Sequence, residues 1–152
     1  MVVAVALEGG RAFRWNLSAN VGPGQPNLGD DVDFVRFGYF CMKINPVSRK
    51  SPELQAALNK LRPAGGYDTD LAEVIRIHQK DRGGKQDGIV SVERATNANR
   101  ETYDGAHVWI VAVLNNNMLD VTNDVYPRID KHPSSGVMLM AAVKRVMTNS
   151  SV

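Results

Sequence analysis

The sequence predicts a mainly helical single domain, a small bundle with an N-terminal β-hairpin and added C-terminal helices. Three observations point there. Four stretches place apolar residues at helical spacing behind a capping residue, at Asp30, Ser51, Asp68 and Ser134. Only one pair of short segments, within residues 2–17, reads as strand. The chain of 152 residues, 43% apolar and 22% charged, has the size and composition of one ordinary globular domain.

The elements follow in order. Val2 to Leu7 is a short valine-rich run, Glu8-Gly9-Gly10 can turn, and Ala12, Phe13, Trp15 and Leu17 mix with Arg11, Arg14 and Asn16. This is a hairpin pattern, with glycine supplying the turn. Residues 18–29 hold two prolines and three glycines, which excludes regular structure there. Asp30-Asp31 then opens a helix as N-cap and first turn, with Val32, Val35, Tyr39 and Met42 on its inner face and Phe34 and Phe40 widening it. Ser51-Pro52-Glu53 starts a second helix running to about Leu61, and Asp68-Thr69-Asp70 a third, with Leu71, Val74, Ile75 and a half-buried His78 facing inward. Gly83-Gly84 ends it. His107 to Met118 fits helix or strand: its β-branched run suits a strand, while its length and a cap at Asp104 favour helix, with Asn115-Asn116-Asn117 at the C-terminal end. Ser134-Ser135 caps the last helix, whose inner stripe is Val137, Met140, Val143, Val146 and Met147.

Composition narrows the function classes. The longest apolar runs are seven residues, against about 20 for a membrane span, so no span is expected. Net charge is +2, spread evenly along the chain with no basic block, which argues against nucleic acid as partner. Cys41 is the single cysteine, so an intrachain disulfide is impossible. The N-terminus lacks a basic n-region. The expectation is synthesis in the cytoplasm without a signal peptide, any periplasmic role then requiring delivery by a dedicated secretion or lysis system.

Three motifs occur in fixed order. The first is Val21-Gly-Pro-Gly-Gln-Pro-Asn-Leu-Gly-Asp-Asp-Val32, leading into a helix with Val35, Arg36 and Tyr39. The second is Leu71-Ala-Glu-Val-Ile-Arg-Ile-His78-Gln79, and the third is Asp87-Gly88-Ile89-Val90. Together they resemble the peptidoglycan-binding-like domain, a three-helix wall module often attached to bacterial and phage wall hydrolases. The resemblance covers about residues 21–94, with 1–20 as hairpin and 95–152 as helical extension of the same domain. Arg36 stands where the family has glutamine, His78 where it has phenylalanine, Ser91 for glycine and Arg94 for threonine. The resemblance implies ligand contacts in a groove beside the Asp87-Gly88 turn, with Gln79, Lys80, Arg82, Asp87 and Arg94 as ligand-binding candidates. A structural role for Gln79 and Asp87, bonding loop backbone, is the competing expectation.

Catalytic chemistry is thinly represented. His78, His107 and His132 form no metal-ligand spacing, so no metal or other cofactor is expected. No Gly-x-Ser-x-Gly elbow or phosphate-binding glycine loop is present. Cys41 sits on an apolar helix face, as a small hydrophobe does. Glu8 in Glu-Gly-Gly is the one weak catalytic candidate, since some phage-type muramidases carry a glutamate in that context, but it lies in a predicted turn rather than at the end of a shielding helix. Trp15 and Trp109 are read as core rather than as sugar platforms. The leading reading is therefore a non-catalytic peptidoglycan-binding module. Two others stay open: an adaptor or effector part of a phage or contractile secretion system that binds a protein partner, and a peptidoglycan hydrolase. The oligomeric state is left open.

Overall fold

The computed structural model describes residues 3–5, 14–93 and 109–149. Strands β1 (Val3–Val5) and β2 (Arg14–Asn16) pair antiparallel, Ala4 opposite Trp15. Helices α1 (Gly29–Ile44), α2 (Pro52–Lys60), α3 (Thr69–Asp81), α4 (Ile110–Val121) and α5 (Val137–Asn149) follow, with a short 3-10 turn at Ile129–Lys131. The fold is mainly helical, with one small strand pair. The predicted hairpin turn at Glu8, the cap at Asp104, and His107 and Arg94 lie outside the described residues. Among the described residues, no helix is long and apolar enough to cross a membrane.

Helix α1 is the hub. It packs against α2, α4 and α5, while α2 and α3 pack on each other. That position explains why its burial is not a stripe: every residue from Asp31 to Tyr39 is buried, polar ones included. A helix surrounded on all sides must satisfy its polar groups internally. Asp31 does so by turning back to the preceding loop, accepting from the Ser18 N–H at 3.1 Å, the Ser18 hydroxyl at 2.9 Å and the Ala19 N–H at 3.1 Å. The N-cap of α1 is Leu28, not an aspartate, so the acidic pair occupies the first turn only.

Helices α2 and α3 start where the capping residues predict. The Ser51 hydroxyl accepts from the Leu54 N–H at 3.1 Å and the Asp68 carboxylate from the Leu71 N–H at 2.9 Å. Helix α5 departs from prediction. Ser135 is buried and donates to the Ile129 carbonyl instead of capping. Asp33 of α1 takes over the role, accepting from the Leu139 N–H at 3.3 Å. It reaches there because residue 136 is glycine: a Cβ at that position would collide with the Asp33 carboxylate. This long-range cap sets the phase of α5. Leu139, Ala142 and Val143 face the core, while Val137, predicted inward, is 82% exposed.

The asparagine triple also departs from prediction. Asn115 and Asn117 lie within α4 rather than at its end. Asn115 is 2% exposed and acts as a surrogate strand edge for β2: its Oδ1 accepts from the Trp15 N–H at 2.9 Å and its Nδ2 donates to the Trp15 carbonyl at 2.8 Å. Asn117 Oδ1 accepts from the Asn45 amide just past α1 at 3.0 Å. Trp15 is fully buried, its indole N–H donating to the Pro127 carbonyl at 2.9 Å.

Candidate functional site

The residues that the sequence singles out around Gln79 converge on one corner, built from the segment after α3 and the loop before α1. Val21 and Val90 form an antiparallel bridge, with N–H to carbonyl distances of 3.0 and 2.8 Å. Asn20 extends the tether, its Oδ1 accepting from the Val92 N–H at 2.9 Å, and Asn16 exchanges two bonds with the Glu93 backbone at 2.8 and 3.0 Å. The loop itself is pinned by Asn27, whose amide bonds both the N–H and the carbonyl of Gly22, at 2.8 and 2.9 Å. Sequence reasoning does not reach this role for Asn27. Its signal is an asparagine that tolerates φ of 49° in a loop dense in glycine and proline.

Gln79 is the keystone of the corner. It is 7% exposed, and its amide spends all its polar atoms on the turn. Nε2 donates to Asp87 Oδ1 at 2.9 Å and to the Ile89 carbonyl at 3.1 Å, and Oε1 accepts from the Gly88 N–H at 2.8 Å. Asp87 Oδ1 also accepts from the Ile89 N–H at 2.9 Å. Burial pushes the Asp87 pKa up, but the Ile89 and Gln79 bonds outweigh it and hold the carboxyl below its ordinary range. Gln79 and Asp87 thus direct their hydrogen bonds to each other and to backbone, the structural half of the sequence expectation.

Gly88 has φ of +73°, a conformation costly for any residue with a Cβ. Gly22 packs against it so closely that a Cβ there would stand 2.7 Å from the Gly88 carbonyl oxygen. Two substitutions test the corner. Gly88→Val is expected to destabilise by about 2 kcal/mol through backbone strain. Gln79→Ala, which from sequence would lose one loop bond, breaks three here and should cost at least about 2 kcal/mol. Thermal melts of both variants check this, and a wild-type midpoint for either removes the keystone assignment.

The basic candidates line the rim. Lys80 and Lys85 are exposed; Lys80 Nζ lies 3.0 Å from Glu53 Oε2 and Lys85 Nζ lies 3.6 Å from Asp87 Oδ2. Arg82 is partly buried, which pushes its pKa down. Arg76, which sequence reasoning misses, runs its stem along the turn, 3.4 Å from where a Gly88 Cβ would stand. Its signal is position: it lies one helical turn before Lys80 on α3.

Behind the rim, His78 is 4% exposed rather than half-buried. Its Nδ1 lies 2.9 Å from the Tyr39 hydroxyl, edge-on to that ring. Burial, reinforced by the Arg82 charge, drives its pKa down to about 3, so the ring is neutral at pH 7. Cys41 is fully buried and its thiol is pushed up to about 12 by burial, the opposite of an activated nucleophile. The His132 ring lies tilted against the Phe37 ring, with centroids 5.3 Å apart, and its Nδ1 accepts the Ser134 N–H at 3.1 Å. Among the described residues no three His, Cys, Asp or Glu side chains converge as a metal site. Neither a protein-family model, nor a curated protein, nor a solved structure matches the chain.

Proposed function

We propose that residues 21–94 are a degenerate module of the peptidoglycan-binding-like type, and that the chain binds bacterial cell wall without cleaving it. The observation that carries this reading is convergence. The Asp87-Gly88 turn folds back onto the end of α3 through Gln79, and the lead-in loop, some sixty residues earlier and pinned internally by Asn27, joins them through the Val21–Val90 bridge. These are the three pieces on which the resemblance rests. The corner spends its amide and backbone polar atoms on internal hydrogen bonds and leaves Arg76, Lys80 and Lys85 exposed on its outside, the two lysines in surface ion pairs that the carboxylates and phosphates of a wall polymer would compete for. Cys41 and His78 are buried and held in their neutral forms.

The test is co-sedimentation with purified sacculi, read together with suspension turbidity. The chain is expected to pellet with sacculi, to lose most of that binding in Lys80→Glu/Lys85→Glu, and to leave turbidity unchanged. Equal recovery in the supernatant with and without sacculi removes the wall reading. Clearing by wild type but not by Glu8→Gln makes the chain a hydrolase. A protein-partner reading has its own observation. Leu28, Val137 and Met138 are exposed apolar residues at the α1–α5 corner, with Met138 lying over Gly29.

A further inference from the structure

We propose that Asp87–Gly88 is a latent isoaspartate site, kept closed by the Gln79 amide and opened whenever that amide lets go of the turn. Aspartyl-glycine is the dipeptide with the least steric resistance to this chemistry, because glycine puts no side chain beside the attacking nitrogen. In the first step the Gly88 amide nitrogen attacks Asp87 Cγ. A C–N bond forms, and the carboxyl oxygen leaves as water with the amide proton. In the second step water adds to one of the two ring carbonyls and opens the succinimide. One opening restores aspartate, and the other leaves the chain running through the side-chain carboxyl as isoaspartate. No oxidant, reductant or co-reactant other than water is needed.

Each requirement of the first step is blocked by a contact in this corner. The attacking nitrogen must give up its proton, but the Gly88 N–H is buried and donates to Gln79 Oε1 at 2.8 Å. The carboxyl must be turned toward Gly88 N, but Asp87 Oδ1 is held by Gln79 Nε2 and by the Ile89 N–H, each at 2.9 Å. It must also be protonated to lose water, whereas those same bonds favour the carboxylate. Two of the three restraints come from one side chain. Release of Gln79 therefore removes them together, and conversion then proceeds at the rate of the open turn multiplied by its population.

The product cannot return to the closed turn. Isoaspartate lengthens the backbone by one methylene between Asp87 and Gly88. That displaces Ile89 from Gln79 Nε2 and Val90 from its bridge with Val21. The modification is thus a one-way record of opening, set at the point where the lead-in loop meets α3. It is independent of what the chain binds.

The experiment incubates the folded protein at neutral pH well below its melting midpoint and follows isoaspartate in the tryptic peptide 86–94 by electron-transfer fragmentation and methyltransferase labelling. Free synthetic peptide 86–94 gives the rate of the open site. Wild type is expected to convert at least about tenfold more slowly than the free peptide. Gln79→Ala should approach the peptide rate. Val143→Ala, which opens a cavity at a fully buried site in α5 but keeps Gln79, controls for global loosening and should stay near wild type. Wild type converting at the peptide rate overturns the proposal even if Gln79→Ala fails to fold. So does a folded Gln79→Ala that converts as slowly as wild type, and so does a Val143→Ala rate equal to that of Gln79→Ala.

Discussion

Lowering the pH from 6.5 to 5 is expected to remove about 2 kcal/mol of folding stability through His78 alone. The sign follows from the two end states. Burial, with the Arg82 charge adding to it and Asp81 only partly opposing, depresses the folded pKa from an ordinary 6.5 to about 3. Between those values the unfolded chain binds a proton that the folded chain refuses. Stability is therefore complete above pH 6.5 and falls by up to about 1.4 kcal/mol per unit as the pH drops through the window. Solvent screening relieves little of this, because the ring is 4% exposed. The Asp68, Asp87 and Asp130 carboxyls are held below their ordinary range and remain ionised down to pH 5, so they add their own loss only at lower pH. Asp31 and Asp33 act in the opposite direction: burial raises their pKa values, so protonation relieves the fold as the pH approaches the carboxylate range.

Chemical denaturation at a series of pH values measures the slope, and the pair Tyr39–His78 isolates its source. His78→Phe alone strands the Tyr39 hydroxyl, which is fully buried, and should cost about 1–3 kcal/mol at pH 7. Tyr39→Phe/His78→Phe removes both partners and should recover part of that cost while flattening the slope above pH 5. If the double variant keeps the wild-type slope, another group is responsible.

The parts of the fold legible in sequence are those decided within a few residues. Ser51-Pro52 and Asp68 each meet their own helix N-terminus three residues on, and each cap forms as predicted. Gly88 is legible for the same reason, since the conformation of a tight turn is a local matter. What is not legible is supplied from far along the chain. The cap of α5 comes from Asp33, so the serines beside it mislead and the inward stripe shifts from Val137 to Leu139. Asn115 reads as a helix-end residue until Trp15, a hundred positions earlier, is placed against it. In the candidate site, the meeting of Gln79 with Asp87 is within reach of a sequence reading. The three-bond geometry and the commitment of both side chains to the turn are not, because they depend on the Gln79 amide being buried between two segments.

Arg36 shows how a departure from the expected motif becomes structure, and its removal should have a similarly large effect. Where the resembled family has glutamine, this chain buries a guanidinium to 1% exposure. It donates from Nε and Nη2 to the Gly66 carbonyl and from Nη1 to the Arg62 carbonyl at 2.9 Å, and Nη2 reaches Asp68 Oδ2 at 2.8 Å. Burial works to raise the Asp68 pKa, but the Leu71 N–H and the guanidinium outweigh it. One side chain thereby ties the whole α2–α3 connection to the hub helix and orients the residue that caps α3. Arg36→Ala removes these bonds and leaves a cavity under the connection. Arg62 and Gly66 are exposed residues, so their carbonyls can regain water, which limits the loss to about 2–4 kcal/mol. Arg36→Lys should recover less than half of that loss, because a single ammonium on a flexible stem cannot hold acceptors on both sides of a planar fork. Hydrogen exchange distinguishes this from general loosening: the Leu71 amide should exchange faster relative to the Val143 amide in α5. Uniform acceleration of both, or full rescue by lysine, would show that Arg36 serves only as buried volume.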